Sequence, residues 1–517
     1  MAKITLDKWI VILTVISAAL LQLIDTSIVN VSLIQMMGNL GATLGDISWV
    51  VTGYAASNVV MITMSGWLSS KFGRKNYFAA SIILFTLASV ACGLSDNVWE
   101  LVFFRVIQGI GGGGLLSTAQ AILIETFPKE DLGLANAIFG VGVIIGPTIG
   151  PALGGYITDN LSWPWIFYIN VPVGIIATVC TVLFIKEPAE KMKTGQMDWL
   201  AIILLIMGIG AMQVVLEKGE SEDWFETNYI TVLTVAAVVG LITFVWRELV
   251  VEHPVVDLRI MRYRSFAVGT LFNFILGFGL FASVFIVPVF AQNILGFTAT
   301  DTGYLLMPGS VMTGIMMPVI GVLLKKRIPP LLFAGIGFSL FFAFTYTLSG
   351  LNLSAGPGDF FWPLIIRGVG LGMIFIPLTS LSMIDLTGKE IPQGTAVSNM
   401  IRQLGGSFGT AIMTTLISVQ TKVHYDNLKD HVTNYEITSQ DRLEGFKNLF
   451  MSKGFSPLEA TQQALAAMQG AVYKQAEMLT YRDAFLVVGA FFLVCIPLMI
   501  LFKGNKKKDV HIEMMME

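Results

Sequence analysis

A few charged side chains lie inside apolar segments of the chain, where a membrane-spanning helix would bury them. Counted at 1.5 Å of helix per residue, Asp25 lies roughly 10 Å and Arg105 about 9 Å from the same membrane face. Desolvation pushes a buried carboxyl toward its neutral form, whereas a nearby arginine favours the charged form. We therefore predict that Asp25 carries an exchanged proton and that Arg105 sets its affinity. A purely structural ion pair is the alternative.

Amide and guanidinium side chains recur in the same apolar segments. Gln22 lies one helical turn before Asp25, and Gln108 lies one turn after Arg105. An arginine at membrane depth usually faces a cavity or a partner, whereas most buried amides only bond neighbouring helices. With that alternative open, the predicted cavity residues are Gln22, Asn30, Gln108, Asn273, Arg367, Asn399, Arg402 and Gln403.

One apolar segment has a glycine at every fourth position. Such a stripe removes the side chains from one helix face, so another membrane helix can approach to backbone contact. Each of its two prolines deletes a helical hydrogen bond and bends the helix. The pattern predicts a helix that bends and seals, formed around Gly142, Gly146, Pro147, Gly150, Pro151 and Gly154.

Composition indicates which elements hold these residues. The 517 residues are 54% hydrophobic and only 13% charged, which is typical of a polytopic membrane protein. Runs of about 20 apolar residues, long enough to cross a bilayer, predict an all-α fold with fourteen spans. These are 9–32, 47–68, 77–94, 100–123, 134–157, 165–185, 199–216, 228–247, 266–290, 302–324, 330–349, 360–383, 394–418 and 483–502.

Lysine and arginine placement tests that count, because cytoplasmic loops carry the excess of basic residues. If the amino terminus is cytoplasmic, every loop on that side contains lysine or arginine, whereas the short loops on the other side contain only Lys218. We therefore expect an even number of spans and both termini in the cytoplasm. The first span has no cleavage site of the signal-peptide kind, so we expect it to remain in the mature chain.

Several functional classes find no support. Cys92, Cys180 and Cys495 lie far apart in separate spans, which argues against disulfides or a metal site. The glycine run 109–114 matches a dinucleotide-binding pattern, but that pattern has meaning only between a strand and a helix. We expect no enzyme activity, no metal, no cofactor and no nucleic-acid partner.

Weak internal repetition is the usual sign of a transporter built from duplicated helix bundles. The segment 66–71 after the second span is echoed by 321–326 after the tenth, and 105–111 by 367–372. We therefore predict three parts. They are an N-terminal six-helix bundle (1–190), a two-helix insertion and linker (191–260), and a C-terminal six-helix bundle (261–517) that includes the outer loop 419–482.

Several segments resemble, in order, the signature motifs of the major facilitator superfamily. The glycine stripe is similar to the antiporter motif of that superfamily, and the whole set resembles the fourteen-helix drug:proton antiporters of the EmrB/QacA type. The segments that carry the resemblance are 23–31, 66–75, 105–113, 142–155, 163–172, 399–406 and 475–485.

The resemblance implies a proton-driven exporter of hydrophobic or amphipathic drugs in a bacterial inner membrane. It also implies a periplasmic membrane-fusion adaptor as a possible partner. A predicted amphipathic helix from Ser456 into the last span either docks on such an adaptor or packs on its own protein. The alternatives are a substrate:proton symporter for uptake and a membrane receptor.

The resemblance further implies a gating loop formed by Gly66, Lys71, Gly73 and Arg74. The superfamily usually has an aspartate where this chain has Ser70, so the usual ion-pair latch cannot form here. The basic residues of the loop are then either gating residues or determinants of topology.

Overall fold

The computed structural model describes residues 6–127, 139–140, 142, 146, 149–150, 153–158, 160–187, 197–324, 328–386, 390–433 and 436–502, and no strand occurs among them. The helices are α1 (Leu6–Leu40), α2 (Leu44–Phe72), α3 (Arg74–Gly93), α4 (Val98–Thr126), α5 (the described residues between 139 and 160), α6 (Trp165–Phe184), α7 (Trp199–Lys218), α8 (Asn228–Val250), α9 (Arg264–Ile294), α10 (Ala299–Leu324), α11 (Pro330–Ser349), α12 (Pro357–Met383), α13 (Ile391–Lys429), α14 (Ile437–Ser452) and α15 (Pro457–Leu498).

Fourteen of these helices correspond to the predicted spans. Twelve are long and apolar enough to cross a membrane. The described residues of α5 are helical, and α13 is 39 residues long but more polar than the others. The predicted all-helical membrane fold is therefore confirmed.

The segment expected as one long outer loop is largely helical. Helix α13 continues to Lys429, and α15 begins at Pro457, well before the apolar part of the last span. Ser456 and Glu459 form a capping box at its start, with Ser456 N donating to Glu459 Oε2 at 3.0 Å. The predicted helix leading into the last span is therefore confirmed. It runs on into the membrane without a break because nothing in its sequence interrupts helical hydrogen bonding at the membrane boundary.

The helices pack in two groups. The N bundle consists of helices α1 to α6, in which α5 packs on α1. The C bundle consists of helices α9 to α13 together with α15. Helices α7 and α8 pack against each other, and α7 also contacts α2 and α13. The boundaries 1–190, 191–260 and 261–517 stay predictions.

Contacts between helix ends define two faces of the molecule. Arg74 at the start of α3 pairs with Glu125 near the end of α4, and Arg264 Nε at the start of α9 donates to Leu501 O at 3.1 Å. We call this the terminal face, because α1 begins there and α15 ends there. The opposite side, with residues 41–43, 94–97 and α14, is the loop face.

The two bundles meet closely toward the terminal face. A Cβ atom on Gly66 of α2 would lie only 2.8 Å from the carbonyl oxygen of Pro392 in α13. One on Gly140 of α5 would lie 2.7 Å from the sulfur of Met317 in α10. The contact at Gly66 is with backbone and leaves no room for a side chain, and the contact at Gly140 is also close. The molecule is therefore closed between the bundles near the terminal face.

The glycine stripe of α5 packs against α1. A Cβ atom would lie 3.2 Å from Ile16 Cγ2 at Gly142, 2.7 Å from Leu23 Cβ at Gly146 and 2.7 Å from Ile28 Cγ1 at Gly154. At Gly150 it would collide with the hydroxyl of Ser27. The predicted close helix approach is therefore present, and its partner is α1. Pro147 and Pro151 lie outside the described residues.

Replacing Gly146 with alanine should lower the free energy of unfolding, because the added methyl group would lie only 2.7 Å from the Cβ atom of Leu23. Overpacking of this kind typically costs about 1–3 kcal/mol. Gly210→Ala is the matched control: it also lies in a membrane helix, but its Cβ would have ordinary contacts of 3.5 Å and longer. There, removing a helical glycine should be neutral or stabilising by up to about 1 kcal/mol. Apparent melting temperatures of the detergent-purified variants test this, and equal shifts would contradict tight packing at the stripe.

Candidate functional site

Asp25 lies in the middle of the N bundle with none of its surface exposed. Its Oδ2 accepts from Arg105 Nη1 at 2.6 Å. Its Oδ1 accepts from Gln108 Nε2 at 2.8 Å and from Asn170 Nδ2 at 3.2 Å. The structure thus brings Asp25, Arg105 and Gln108 together as predicted, and donors from α4 and α6 surround a carboxyl on α1.

Arg105 is held by more than its carboxylate partner. Its Nε donates to the carbonyl oxygen of Val50 in α2 at 3.1 Å, and its Nη1 also donates to Gln108 Oε1 at 2.7 Å. The guanidinium lies over the ring of Tyr54, 4.1 Å from the ring centroid. Only 1% of Arg105 is exposed, so these contacts replace water as its solvation shell.

Two residues of this site were not among the predicted ones. Ser89 of α3 accepts from Gln108 Nε2 at 2.8 Å and from Asn170 Nδ2 at 3.4 Å. Asn170 lies in a segment that carries the family resemblance and is an amide in an apolar run, so a signal for it existed. Nothing around Ser89 in the sequence distinguishes it from other serines in the spans.

The arrangement suits a group that changes its charge inside the membrane. Breaking a buried ion pair by removing one partner costs about 3–5 kcal/mol, because an uncompensated charge stays behind. Here the guanidinium of Arg105 has two further acceptors, so it stays bonded if Asp25 takes up a proton. The site therefore tolerates a neutral carboxyl better than an isolated pair would.

The glycine stripe fixes the part of α1 that carries this carboxyl. Gly146 packs on Leu23 and Gly150 packs on Ser27, so the two contacts bracket Asp25 along the helix. A shift of α5 that carries this part of α1 with it would therefore move Asp25 relative to Arg105 of α4.

Gln22 has a separate, structural set of bonds. Its Nε2 donates to Asn58 Oδ1 at 3.2 Å, and its Oε1 accepts from the backbone N–H of Leu116 at 3.2 Å. The side chain is buried between α1, α2 and α4. Its geometry matches the alternative in which a buried amide bonds neighbouring helices.

A second polar group crosses between the bundles. Asn399 of α13 donates to Gln120 Oε1 of α4 at 2.9 Å and to Ser117 Oγ at 3.4 Å. Arg402 donates to Asn399 Oδ1, and its guanidinium lies 5.4 Å from the centroid of the Phe375 ring. The predicted residues Asn399 and Arg402 therefore lie together at the bundle interface.

The remaining predicted cavity residues do not join either group. Arg367 is buried with its Nε unpartnered among the described residues, and Asn273 is buried with its Oδ1 likewise unpartnered. Asn30 is exposed and donates to the carbonyl oxygen of Thr26 in its own helix at 3.4 Å, while Gln403 is half-buried. Sequence alone could not separate these four from the interacting residues, because their neighbours come from other helices.

The basic residues of the predicted gating loop have partners within the N bundle. Arg74 pairs with Glu125, and Lys71 lies over the ring of Trp67 at 4.4 Å from its centroid. Gly73, between α2 and α3, has a φ of 87°, a conformation that favours glycine.

The hydrogen bond of Ser70 that the structure describes stays within α2 and does not connect the two bundles. Its hydroxyl donates to the carbonyl oxygen of Gly66 in its own helix at 2.7 Å. The close approach of Gly66 to Pro392 makes the contact between the bundles instead.

Metal or disulfide chemistry has no visible basis in the described part of the chain. It contains no group of three or more possible metal ligands, and Cys92, Cys180 and Cys495 are free thiols.

Comparison with known proteins agrees with this architecture. The family model of the Major Facilitator Superfamily matches residues 15–410. The chain is 32% identical over 485 residues to the multidrug export protein EmrB of Escherichia coli K12, covering 93% of this chain and 92% of that protein. It is 31% identical over 488 residues to the fatty acid resistance protein FarB of Neisseria gonorrhoeae, covering 94% of each.

Among solved structures, the crystal structure of the human organic anion transporter MFSD10 superposes with a TM-score of 0.56 at 12% identity. The match covers 94% of this chain and all of that one. At this identity the likeness shows the fold alone. The chain is therefore a multi-pass membrane transporter and not an enzyme, and it belongs to the Major Facilitator Superfamily, in the group of the EmrB multidrug export proteins.

Proposed function

We propose that this protein is a proton-coupled antiporter that exports hydrophobic or amphipathic small molecules by alternating access. The observation that carries the proposal is the buried contact of Asp25 with Arg105, Gln108 and Asn170 in a chain similar to multidrug exporters. The proton gradient is the energy source, and no cofactor is needed.

In this mechanism the carboxyl of Asp25 accepts a proton when the path to the loop face is open. Neutralisation removes its attraction to Arg105, whose guanidinium keeps the carbonyl oxygen of Val50 and Gln108 Oε1 as acceptors. The helices α1 and α4 are then less strongly held together. After the molecule opens to the terminal face, the proton leaves and the ion pair re-forms.

The contacts between the bundles support one particular state of the proposed cycle. Closure at Gly66 and at Asn399 blocks the terminal face, so this structure corresponds to a state closed on that side. Opening there must separate Asn399 from Gln120. Because Arg402 holds Asn399, we propose that these two residues line the substrate path once the bundles part.

The excess of lysine and arginine on the terminal face supports a cytoplasmic location for that face. We propose a bacterial inner-membrane protein with both termini in the cytoplasm. The loop face is then periplasmic, and α14, which has no buried residue, projects there against α15. This projection is our proposed contact surface for a periplasmic membrane-fusion adaptor.

Single cysteines at Ser70 and Thr300 should react from opposite sides of the membrane in a background without Cys92, Cys180 and Cys495. Ser70 lies on the terminal face and Thr300 at the loop-face start of α10. In intact cells an impermeant thiol reagent should label Thr300→Cys only, and permeabilised cells should show both. Labelling of both positions in intact cells would exclude the proposed topology.

Asp25→Asn keeps the size of the side chain but cannot titrate. In vesicles with an imposed pH gradient it should lose uphill substrate accumulation while keeping substrate binding. The control is Asp385→Asn, which changes a carboxyl that bonds Ser265 Oγ at 2.5 Å near the terminal face. We expect that variant to transport. The opposite pattern, with transport kept by Asp25→Asn and lost by Asp385→Asn, would move the proton site to Asp385.

Arg105→Ala should favour the protonated carboxyl by removing the nearby cation. Its transport should therefore need a higher pH on the side where the proton leaves. Rates measured over a pH series would show this as a profile displaced to higher pH, or as a stalled transporter that still binds substrate. A profile identical to that of the wild type would exclude a role for Arg105 in setting the proton affinity.

A further inference from the structure

The inserted helix α7 ends between the two bundles near the loop face. Lys218, its last residue, is only 1% exposed. Its Nζ donates to the carbonyl oxygen of Gly45 at 3.0 Å and to the hydroxyl of Ser48, and it lies 5.0 Å from the centroid of the Trp49 ring. All three partners lie at the start of α2, so a buried cation ties α7 to the N bundle.

The other flank of α7 contacts the C bundle. Gln213 precedes Lys218 by five residues, which places the two side chains about 140° apart around the helix. Gln213 is fully buried, and its Nε2 donates to Ser407 Oγ of α13 at 2.8 Å. Just beyond α7, Trp224 Nε1 donates to Thr415 Oγ1 of α13 at 3.2 Å.

The α7–α8 pair is itself tightly joined. A Cβ atom on Gly240 would lie 2.6 Å from the backbone nitrogen of Gly208, so the two helix backbones touch. At the terminal face, Arg247 of α8 makes two hydrogen bonds to the carboxylate of Asp198, at 2.8 and 3.0 Å. The pair therefore moves as one piece.

The two attachments of this piece differ in strength. Hydrogen bonds from a charged group are roughly twice as strong as those between neutral groups. A buried ammonium that lost its acceptors would also leave an unsolvated charge. The link through Lys218 to α2 is therefore the durable one, and the links of Gln213 and Trp224 to α13 are the ones that separate first.

We propose that α7 and α8 move with the N bundle and that two positioning residues hold α13 in the state closed at the terminal face. These residues are Gln213, which bonds Ser407, and Trp224, which bonds Thr415. The inference rests on alternating access as proposed above. When the bundles close at the loop face, α2 and α13 approach each other, and α7, which lies between them, must slide along α13. The neutral hydrogen bonds at Ser407 and Thr415 permit that release.

The test uses Ser117→Cys in a cysteine-free full-length chain as a reporter. Ser117 is buried where α4 meets α13, so its thiol reacts with an impermeant reagent only when the terminal face opens. Adding Gln213→Leu removes the bond to Ser407 of α13 and also a bond to Glu217 within α7. It should raise the labelling rate about fivefold, the factor that corresponds to about 1 kcal/mol for the one hydrogen bond to α13. The matched control is Ser221→Ala, whose hydroxyl donates to the carbonyl oxygen of Lys218 at 3.0 Å and has no bond to α13 within the described part of the chain. It should leave the rate unchanged.

A labelling rate that rises with Asp25→Asn or with substrate but not with Gln213→Leu or Trp224→Phe would overturn this inference and leave alternating access intact. A reporter that responds to none of these changes would instead contradict alternating access. If Gln213→Leu is poorly folded, Ser407→Ala removes the same bond from the α13 side, and the same rise is expected. A labelling rate for Ser407→Ala that is no higher than the rate for Ser221→Ala would count against the proposal.

Discussion

The interior of the N bundle is organised by the need to keep one carboxylate and one guanidinium bonded in a place without water. An unpaired charge there is far more costly than a paired one. Five helices accordingly converge on the pair, since α1 supplies Asp25, α4 supplies Arg105 and Gln108, α2 a carbonyl oxygen and an aromatic ring, α3 Ser89, and α6 Asn170. Loss of either charge would leave the other without its charged partner.

The glycine contacts connect this chemistry to movement. Small residues let membrane helices approach to backbone contact, so a shift of one helix passes to the next without slack. In this chain α5 contacts α1 on both sides of Asp25, while Gly140 of the same helix contacts Met317 in the C bundle. The helix therefore touches both the segment that holds the carboxyl and the opposite bundle. This is the physical link that the proposed proton-coupled alternation requires.

The sequence predicted what depends on local pattern and composition. The fourteen spans follow from apolar runs, and the helix that begins after Ser456 follows from a capping box. The matching depths of Asp25 and Arg105 in the membrane follow from the rise of a helix per residue. It could not identify contacts that depend on which helices become neighbours. Ser89 as an acceptor, α1 as the partner of the glycine stripe and the Asn399–Gln120 bond between the bundles are of this kind. Lys218 is a clear case, because a residue that looks like a loop cation is buried on α2. The glycine run at 109–114, rejected as a nucleotide site, packs α4 on its neighbours, with a Gly111 Cβ only 2.6 Å from Phe85 N.

The central claim is that Asp25 carries the proton that is exchanged for substrate. It is tested most directly by counting the protons released when a drug binds to purified protein in weakly buffered solution, at each pH of a series. The account predicts that the wild-type protein releases protons on drug binding and that Asp25→Asn binds the same drug and releases none. Equal proton release from both proteins would contradict it.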